Sequence, residues 1–591
     1  MPPLLQVDDL TVRYRSGDQG QLVALEGITC DIGEGEAVGV LGESGCGKTT
    51  LGLTLLGLLP PAGKIVRGSA IFGGRNLLTL SERELRGVRG AGISMVHQEP
   101  GAALNPVLQV GEQVAEVLRA HRHLSREGAS DEAGALLALV GLAKETSIAA
   151  AYPHQLSGGQ QQRVAIAQAI ACRPRLVIAD EPTTALDTVT QLEILNLLRN
   201  LREKLQVALL FITHDPEVLM RAVDRILVMR GGRIVEQGST WEVTQKSQRA
   251  YTQELLNSSL HRKDHKQSVA PTRKEIDSTD SCAPVHPIKT YHPRRERSTE
   301  ANGNGSGRQG PSPDSAPVHT DSQPTERETL LHVVNLHKGY VQGRRLSRRR
   351  NQIDALRGIG LELGVGSTLA LIGASGSGKS TLARCLACLE RPDSGEIRFG
   401  GRDLAKLSRG ELIPFCRQIQ LIFQDPGSSL NPRFTAVEVI SEPLLTVCPG
   451  TRRESAERAL AIMELVGLQA DWGQRLPHQF SAGQRRRLAI ARALALEPRL
   501  LILDEALAGL DLPIQAQIID LLVELQARLS LTYLYISHDL RLVAHLADEV
   551  AVLHQGQIVE SAPTPELLAK PQSEQAVNLV SATLELSRLQ S

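Results

Sequence analysis

A glycine-rich stretch, LGESGCGKTTL at 41–51, returns as IGASGSGKSTL at 372–382, which sets Lys48 and Lys379 331 residues apart. Two more segments repeat in the same order at an offset of 324: LSGGQQQR at 156–163 with FSAGQRRR at 480–487, and LVIADE at 176–181 with LLILDE at 500–505. A repeat of this period demands two copies of one domain, each with its own core, and 591 residues supply the length for both. Between the copies, residues 258–328 hold only six Leu, Ile, Val or Phe and include NGNGSGRQGPSPDSAP at 302–317, too little apolar surface to offset the entropy of ordering. The reading is a first domain at 1–257, a disordered linker at 258–328 and a second domain at 329–591.

Lysine plus arginine equals aspartate plus glutamate, 65 against 65, so the whole chain carries no basic field and no nucleic-acid partner is expected. No run of 18 apolar residues occurs and the first 30 residues lack an apolar leader core, which predicts neither a membrane-spanning helix nor a secretory signal. The eight cysteines are scattered, and the single CxxC, Cys385 and Cys388, reads as a pair of structural thiols. The run Arg344, Arg345, Arg348, Arg349 and Arg350 reads as a solvated hairpin loop, with contact to anionic lipid headgroups as the sharper alternative.

Within each half, short β-branched or leucine-rich runs alternate with helical periods, the pattern of an α/β domain with a mostly parallel sheet. Runs at 37–41, 176–179 and 207–213, repeated at 369–372, 500–503 and 531–537, each end at a polar motif. The chemistry therefore falls at strand carboxyl ends, where open α/β sheets bind ligands.

GESGCGKT at 42–49 and GASGSGKS at 373–380 have P-loop spacing, placed after a strand and before a helix. In the first, Gly42, Glu43, Ser44, Gly45, Cys46 and Gly47 offer backbone amides to phosphate oxygens, and Lys48, Thr49 and Thr50 open the helix; in the second, Gly373, Ala374, Ser375, Gly376, Ser377 and Gly378 lead into Lys379, Ser380 and Thr381. The lysines supply a point charge to the phosphates, and the Thr49 and Ser380 hydroxyls suit Mg²⁺. Asp180 and Asp504, ending apolar strands, are suited to the metal's shell, and Glu181 and Glu505, one residue on, to polarising a water. His214 and His538 each follow their glutamate by 33 residues, again at a strand end, and the duplicated spacing favours a shared role over a structural one.

This motif set resembles that of ABC-type nucleotide-binding domains, and the resemblance covers both halves. It implies an α/β fold of two P-loop NTPase (ABC-type) domains, each with a helical subdomain, joined by the disordered linker, with ATP and Mg²⁺ as ligands. Carried onto these positions, the Q-loop glutamines are Gln98 and Gln424, which would serve both metal and catalysis; the signatures include Ser157, Gly158, Gly159 and Gln160, and Ser481, Ala482, Gly483 and Gln484. The D-loop aspartates are Asp187 and Asp511, and the adenine-stacking aromatics Tyr14 and Tyr340. The resemblance also implies an intramolecular domain dimer. One site would join Lys48, Gln98, Asp180, Glu181 and His214 to Ser481 and Gly483; the other would join Lys379, Gln424, Asp504, Glu505 and His538 to Ser157 and Gly159. Ala482 stands where a glycine is usual and DEALAGLD replaces DEPTTALD, so the two sites are expected to be competent but unequal.

QEPGAALNP from Gln98, QDPGSSLNP from Gln424, PHQ before each signature and YTQELL at 251–256 are similar to the peptide and nickel importer family. That similarity implies an ATPase on the cytoplasmic face of the inner membrane, peripheral, driving import of oligopeptides or dipeptides, or of nickel or another small solute. Its partners would be two integral-membrane permease subunits and, indirectly, an extracytoplasmic solute-binding protein. A soluble tandem ATPase acting on ribosomes or nucleic acid is the alternative. The stiff turns Asn105-Pro106 and Asn431-Pro432 are expected to shape the permease groove, with Leu104 and Leu430 in contact with the partner.

Overall fold

The computed structural model describes residues 2–15, 21–142, 148–184, 186–260, 328–342, 351–424, 426–447 and 450–587. The arginine run at 344–350 and the linker between 261 and 327 lie outside the described residues.

Each half is built on a six-stranded sheet. In the first the strand order is Arg233–Ser239, Arg225–Arg230, Ala37–Leu41, Ala208–Thr213, Leu176–Asp180, Ile93–Val96. All neighbours are parallel except the edge strand Arg233–Ser239, which turns back on Arg225–Arg230. The second half repeats the order with Gln557–Pro563, Glu549–His554, Thr368–Ile372, Thr532–Ile536, Leu500–Asp504 and Ile419–Ile422. All five residues of Ala37–Leu41 are buried, as in a strand covered on both faces. Successive side chains go to opposite cores: Ala37 and Leu41 join the cluster shared with the helical subdomain, and Val38 and Val40 the one on the other face.

That other face is covered by a second, antiparallel sheet, which the sequence reading did not anticipate. It pairs Leu5–Arg15 with Gln21–Ile32 and Gly63–Phe72 in the first half, and Thr329–Gln342 with Asn351–Gly364 and Ser394–Phe399 in the second. The opposite face carries the helical subdomain: Val110–Arg122, Arg126–Leu139 and Gly158–Ile170, repeated as Ala436–Val447, Arg452–Leu465 and Ala482–Leu494.

The terminal helix of each half reaches the other half. Glu574–Ser587 packs on Thr188–Leu205, so that Ala582 and Leu586 enter the first half's core and Arg221 pairs with Glu585 at 3.3 Å. Ala250–Leu260 packs on Leu512–Leu529 and continues past the boundary expected at 257. No helix among the described residues is long and apolar enough to cross a membrane. The CxxC is not a unit: Cys385 is buried in the core, whereas the Cys388 thiol donates to the Leu386 carbonyl at 3.9 Å and lines a cavity with Cys416.

Candidate active site

Each glycine loop closes tightly because its last glycine is left-handed. Gly47 has φ 108° and Gly378 φ 110°, and an added Cβ would meet the carbonyl oxygen of Ala24 at 2.4 Å or of Ala355 at 2.5 Å. The helices Lys48–Leu55 and Lys379–Leu386 begin on the lysines, directing their free amides into the loop. Lys48 Nζ donates to the carbonyls of Gly42 (2.6 Å) and Glu43 (2.9 Å), and Lys379 Nζ to those of Gly373 (2.8 Å) and Ala374 (2.9 Å), which holds each buried ammonium inside its loop. Burial lowers the Lys379 pKa from its ordinary value.

The hydroxyls of Thr49 and Ser380 donate to Oδ1 of Asp180 and Asp504, at 3.2 and 3.3 Å. Burial pushes Asp180 up to about 6 and Asp504 in the same direction. Each pair offers one carboxylate and one hydroxyl, and no cluster of three His, Cys, Asp or Glu exists among the described residues to hold a metal alone. Such a donor set fits Mg²⁺, which takes one or two carboxylates and completes its shell with phosphate and water.

Glu181 and Glu505 occupy left-handed backbone, φ 46° and 47°, which non-glycine residues seldom adopt. Their amides bond to the carbonyls of Ile212 (2.8 Å) and Ile536 (3.0 Å) on the next strand, holding the bend. The Glu181 carboxylate accepts from Gln98 Nε2 and Thr184 Oγ1, both at 2.9 Å, and lies 3.1 Å from His214 Nδ1. Burial works against its charge, yet the His214 and Thr184 interactions outweigh it and hold Glu181 below the ordinary carboxylate value. In the second half Gln424 Nε2 donates to Glu505 at 2.5 Å and His538 Nδ1 lies 3.5 Å away; Ala508 stands in place of Thr184 and offers no hydroxyl.

The halves meet at these sites. Ser44 donates to Asp511 of the other half from its backbone amide (3.0 Å) and from its hydroxyl (2.7 Å). Asp187 lines a cavity of about 320 Å³ with Lys379, Ser380, Gln424, Glu505 and His538, but its carboxylate accepts from Thr190 N and Oγ1 of its own helix, both at 3.0 Å. The position equivalent to Thr190 is Ile514, which has no hydroxyl, and Asp511 makes no side-chain cap bond on its own helix.

The signatures begin the helices Gly158–Ile170 and Ala482–Leu494 as capping boxes: Ser157 Oγ accepts from Gln160 N, and Ser481 Oγ from Gln484 N, each at 3.3 Å. Among the described residues, the hydrogen bonds of Ser157 and Ser481 stay within these turns, so at the Lys48 loop the halves are joined through Asp511 rather than a signature serine. Ala482 is not strained: it is absent from the positive-φ residues among those described, and a Cβ at the equivalent Gly158 would meet only Leu186 Cδ2 at 3.6 Å. Gly159 and Gly483 are the restrictive positions, where a Cβ would strike Thr190 Cγ2 at 2.5 Å or Ile514 Cγ2 at 2.6 Å. Backbone strain at Ala482 therefore gives no ground for unequal sites, whereas the Asp187/Asp511 difference gives one.

Tyr14 OH lies 3.4 Å from Thr50 Oγ1, beside its own P-loop helix, and the half-exposed Tyr340 bonds to Glu390. Leu104 and Leu430, expected at the partner surface, are 2% and 3% exposed and belong to the cores; the exposed apolar neighbours are Val107 at 74% and Phe423 at 42%.

Two contacts were not legible in the motifs. Arg486, buried, donates to the carbonyls of Gln424 (3.0 Å) and Ala508 (3.4 Å), tying Q-loop to D-loop in the second half; the first half has Gln162 there, a difference visible in RRR against QQR. Tyr251 of the terminal helix accepts from Glu43 N and donates to Met229 O, both at 3.4 Å, with the Arg230 guanidinium 4.5 Å from its ring centre.

A lysine-bearing phosphate cradle, a strand-end Asp-Glu pair and a facing histidine, present twice and bridged by a D-loop aspartate, define an ATP-binding cassette. Residues 25–184 and 356–508 match the ABC transporter family, and the chain belongs to it: it is an ATPase with two ATP-binding domains. It is 38% identical to the glutathione import ATP-binding protein GsiA of Escherichia coli strain K12 over 588 residues, covering 98% of this chain and 89% of the relative. The protein of the same description from Pectobacterium atrosepticum is 38% identical over 590 residues, with 98% and 89% covered. A solved dimer of the ATP-binding cassette MJ0796 in a post-hydrolysis state, bound to ADP and Pi, is 29% identical and aligns over 40% of this chain and 98% of its own, at a TM-score of 0.36.

Proposed function

We propose that the chain hydrolyses ATP at two composite sites to drive import of a peptide-type solute through two integral-membrane permease subunits, fed by an extracytoplasmic solute-binding protein. The observation that carries this reading is the similarity, along 98% of the chain, to proteins described as glutathione import ATP-binding proteins. The chain would work at the cytoplasmic face of the membrane, with its two halves as one intramolecular dimer.

In this reading Lys48 and Lys379 bind the nucleotide phosphates. Thr49 with Asp180 and Gln98, and Ser380 with Asp504 and Gln424, hold Mg²⁺, which neutralises phosphate charge when bound. Glu181 and Glu505 orient and deprotonate the attacking water, and His214 and His538 hold those carboxylates in place. The bend that puts each glutamate in left-handed backbone leaves its carboxylate against Gln98 and His214, or Gln424 and His538.

Magnesium-dependent ATPase of the purified chain, and uptake in cells carrying it with its permease, test the reading. Glu181→Gln and Glu505→Gln are each expected to retain ATP binding and to lower turnover by about 10²-fold or more. Unchanged turnover in both variants would refute the assigned roles. Uptake of radiolabelled glutathione that persists when the gene is deleted and the permease retained would refute the solute class; co-purification with ribosomes instead of membrane subunits would favour the soluble tandem ATPase.

A further inference from the structure

Where two equivalent faces meet on a pseudo-twofold axis, a residue at the axis meets its own counterpart, and in a pair of identical domains like meets like. His214-Asp215-Pro216-Glu217 in the first half is matched by His538-Asp539-Leu540-Arg541 in the second, so Glu217 and Arg541 are equivalent positions. They touch: Arg541 Nη1 donates to Glu217 Oε2 at 2.8 Å and to Asp215 Oδ2 at 3.4 Å, while Nε and Nη2 each donate to Asp539 at 3.0 Å. Asp215 and Glu217 are 8% and 5% exposed, so these charges meet largely out of water.

We infer that Glu217 and Arg541 form a recognition device that makes the first half accept a partner face bearing arginine and reject a copy of itself. A pair of first halves would bring two Asp215 and two Glu217 carboxylates to the axis with no cation among them. Like charges juxtaposed in a buried interface cost several kcal/mol. Joining first half to second puts a guanidinium among three carboxylates. Burial and the neighbouring aspartates push Glu217 above the ordinary carboxylate value even against Arg541, as expected where negative charge is in excess. A second asymmetric contact acts against the other like pairing: Thr188 Oγ1 donates to the carbonyl of His538 at 2.9 Å, and a pair of second halves would have its equivalent, Leu512, on both sides and could not make the bond. The consequence is functional. The departing signature at 481–484 is always presented to the Lys48 loop and the regular one at 157–160 to the Lys379 loop, whether the partner half comes from the same chain or another.

The test is charge reversal in the full-length chain, read by ATPase rate and by small-angle scattering. Arg541→Glu puts four carboxylates at the axis and is expected to lower the ATPase at least tenfold and to expand the particle. Adding Glu217→Arg to it restores the pair in reverse, and most of the lost rate and compactness are expected to return. If Arg541→Glu cannot be purified, Arg541→Met alone and with Glu217→Met makes the same comparison, the double variant being the more active and the more compact. A residue that merely shaped its own loop with Asp539 would not be rescued from the other half. Wild-type rate and size in Arg541→Glu, or no rescue by the second substitution in either series, would overturn the inference.

Discussion

Ser44 of the first glycine loop and Asp511 of the second half are joined by two hydrogen bonds, 3.0 Å from the amide and 2.7 Å from the hydroxyl. The equivalent Asp187 spends its carboxylate on Thr190 in its own helix. The two helices differ in one side chain: where the first half offers a threonine hydroxyl, the second has Ile514, and an aspartate without that local hydroxyl is free to cross the interface.

Replacing Ile514 with Thr is therefore expected to draw Asp511 back to its own helix. The ATPase rate should fall by about 10- to 100-fold, about what one charge-assisted hydrogen bond of 1.5–3 kcal/mol supports. Asp511→Asn should lower it similarly. Asp187→Ala, in contrast, removes a helix N-cap and should cost about 1 kcal/mol of stability, seen as a lower Tm.

The signature alanine is predicted to be benign. Ala482→Gly and Gly158→Ala should each change turnover by about twofold or less, because the added methyl meets nothing closer than ordinary contact at Gly158. Gly159→Ala and Gly483→Ala should abolish most activity, since a Cβ there lies 2.5 or 2.6 Å from Thr190 or Ile514. Steady-state ATPase on the four variants decides between the positions.

Coupling to a membrane partner should depend on exposed rather than buried apolar residues. Val107→Asp and Phe423→Asp are expected to leave Tm and ATPase near wild type while reducing permease co-purification and solute uptake. Leu104→Asp or Leu430→Asp places a charge in a core and should lower Tm sharply, so that loss of transport there reports misfolding.

His214 and Glu181 make a pH signature. Burial opposes charge on His214, but the hydrogen bond and charge of Glu181 prevail and raise its pKa above 6.5, while Glu181 lies below 4.5. The histidine's contribution to stability is full below 6.5 and is lost as pH rises through the raised value; the glutamate's is full above 4.5 and is lost as pH falls through the lowered value. His214→Gln should therefore lower Tm most between about pH 4.5 and 6.5 and progressively less above that window, as measured by thermal melts of the nucleotide-free protein.

The glycine loops, the strand-end Asp-Glu pairs and the histidines at 214 and 538 were determined by sequence because each is local: a strand, a tight turn and a helix within some ten residues place amides, lysine and hydroxyl together wherever the domain folds. Duplication then paired those histidines and aspartates position for position. Tertiary structure alone decided the rest. In each antiparallel sheet two strands are sequence neighbours, as where Arg15 pairs with Gln21, but the third comes from tens of residues further on, and no local period announces which face the sheet covers. Leu104 and Leu430 sit in proline turns that look superficial in sequence, yet packing turns both leucines inward. The contacts of Ser44 with Asp511, Glu217 with Arg541, and Leu586 with the first half's core join residues hundreds of positions apart. They form because two domains present particular faces to each other, and that placement depends on shape and charge summed over whole surfaces rather than on any one segment.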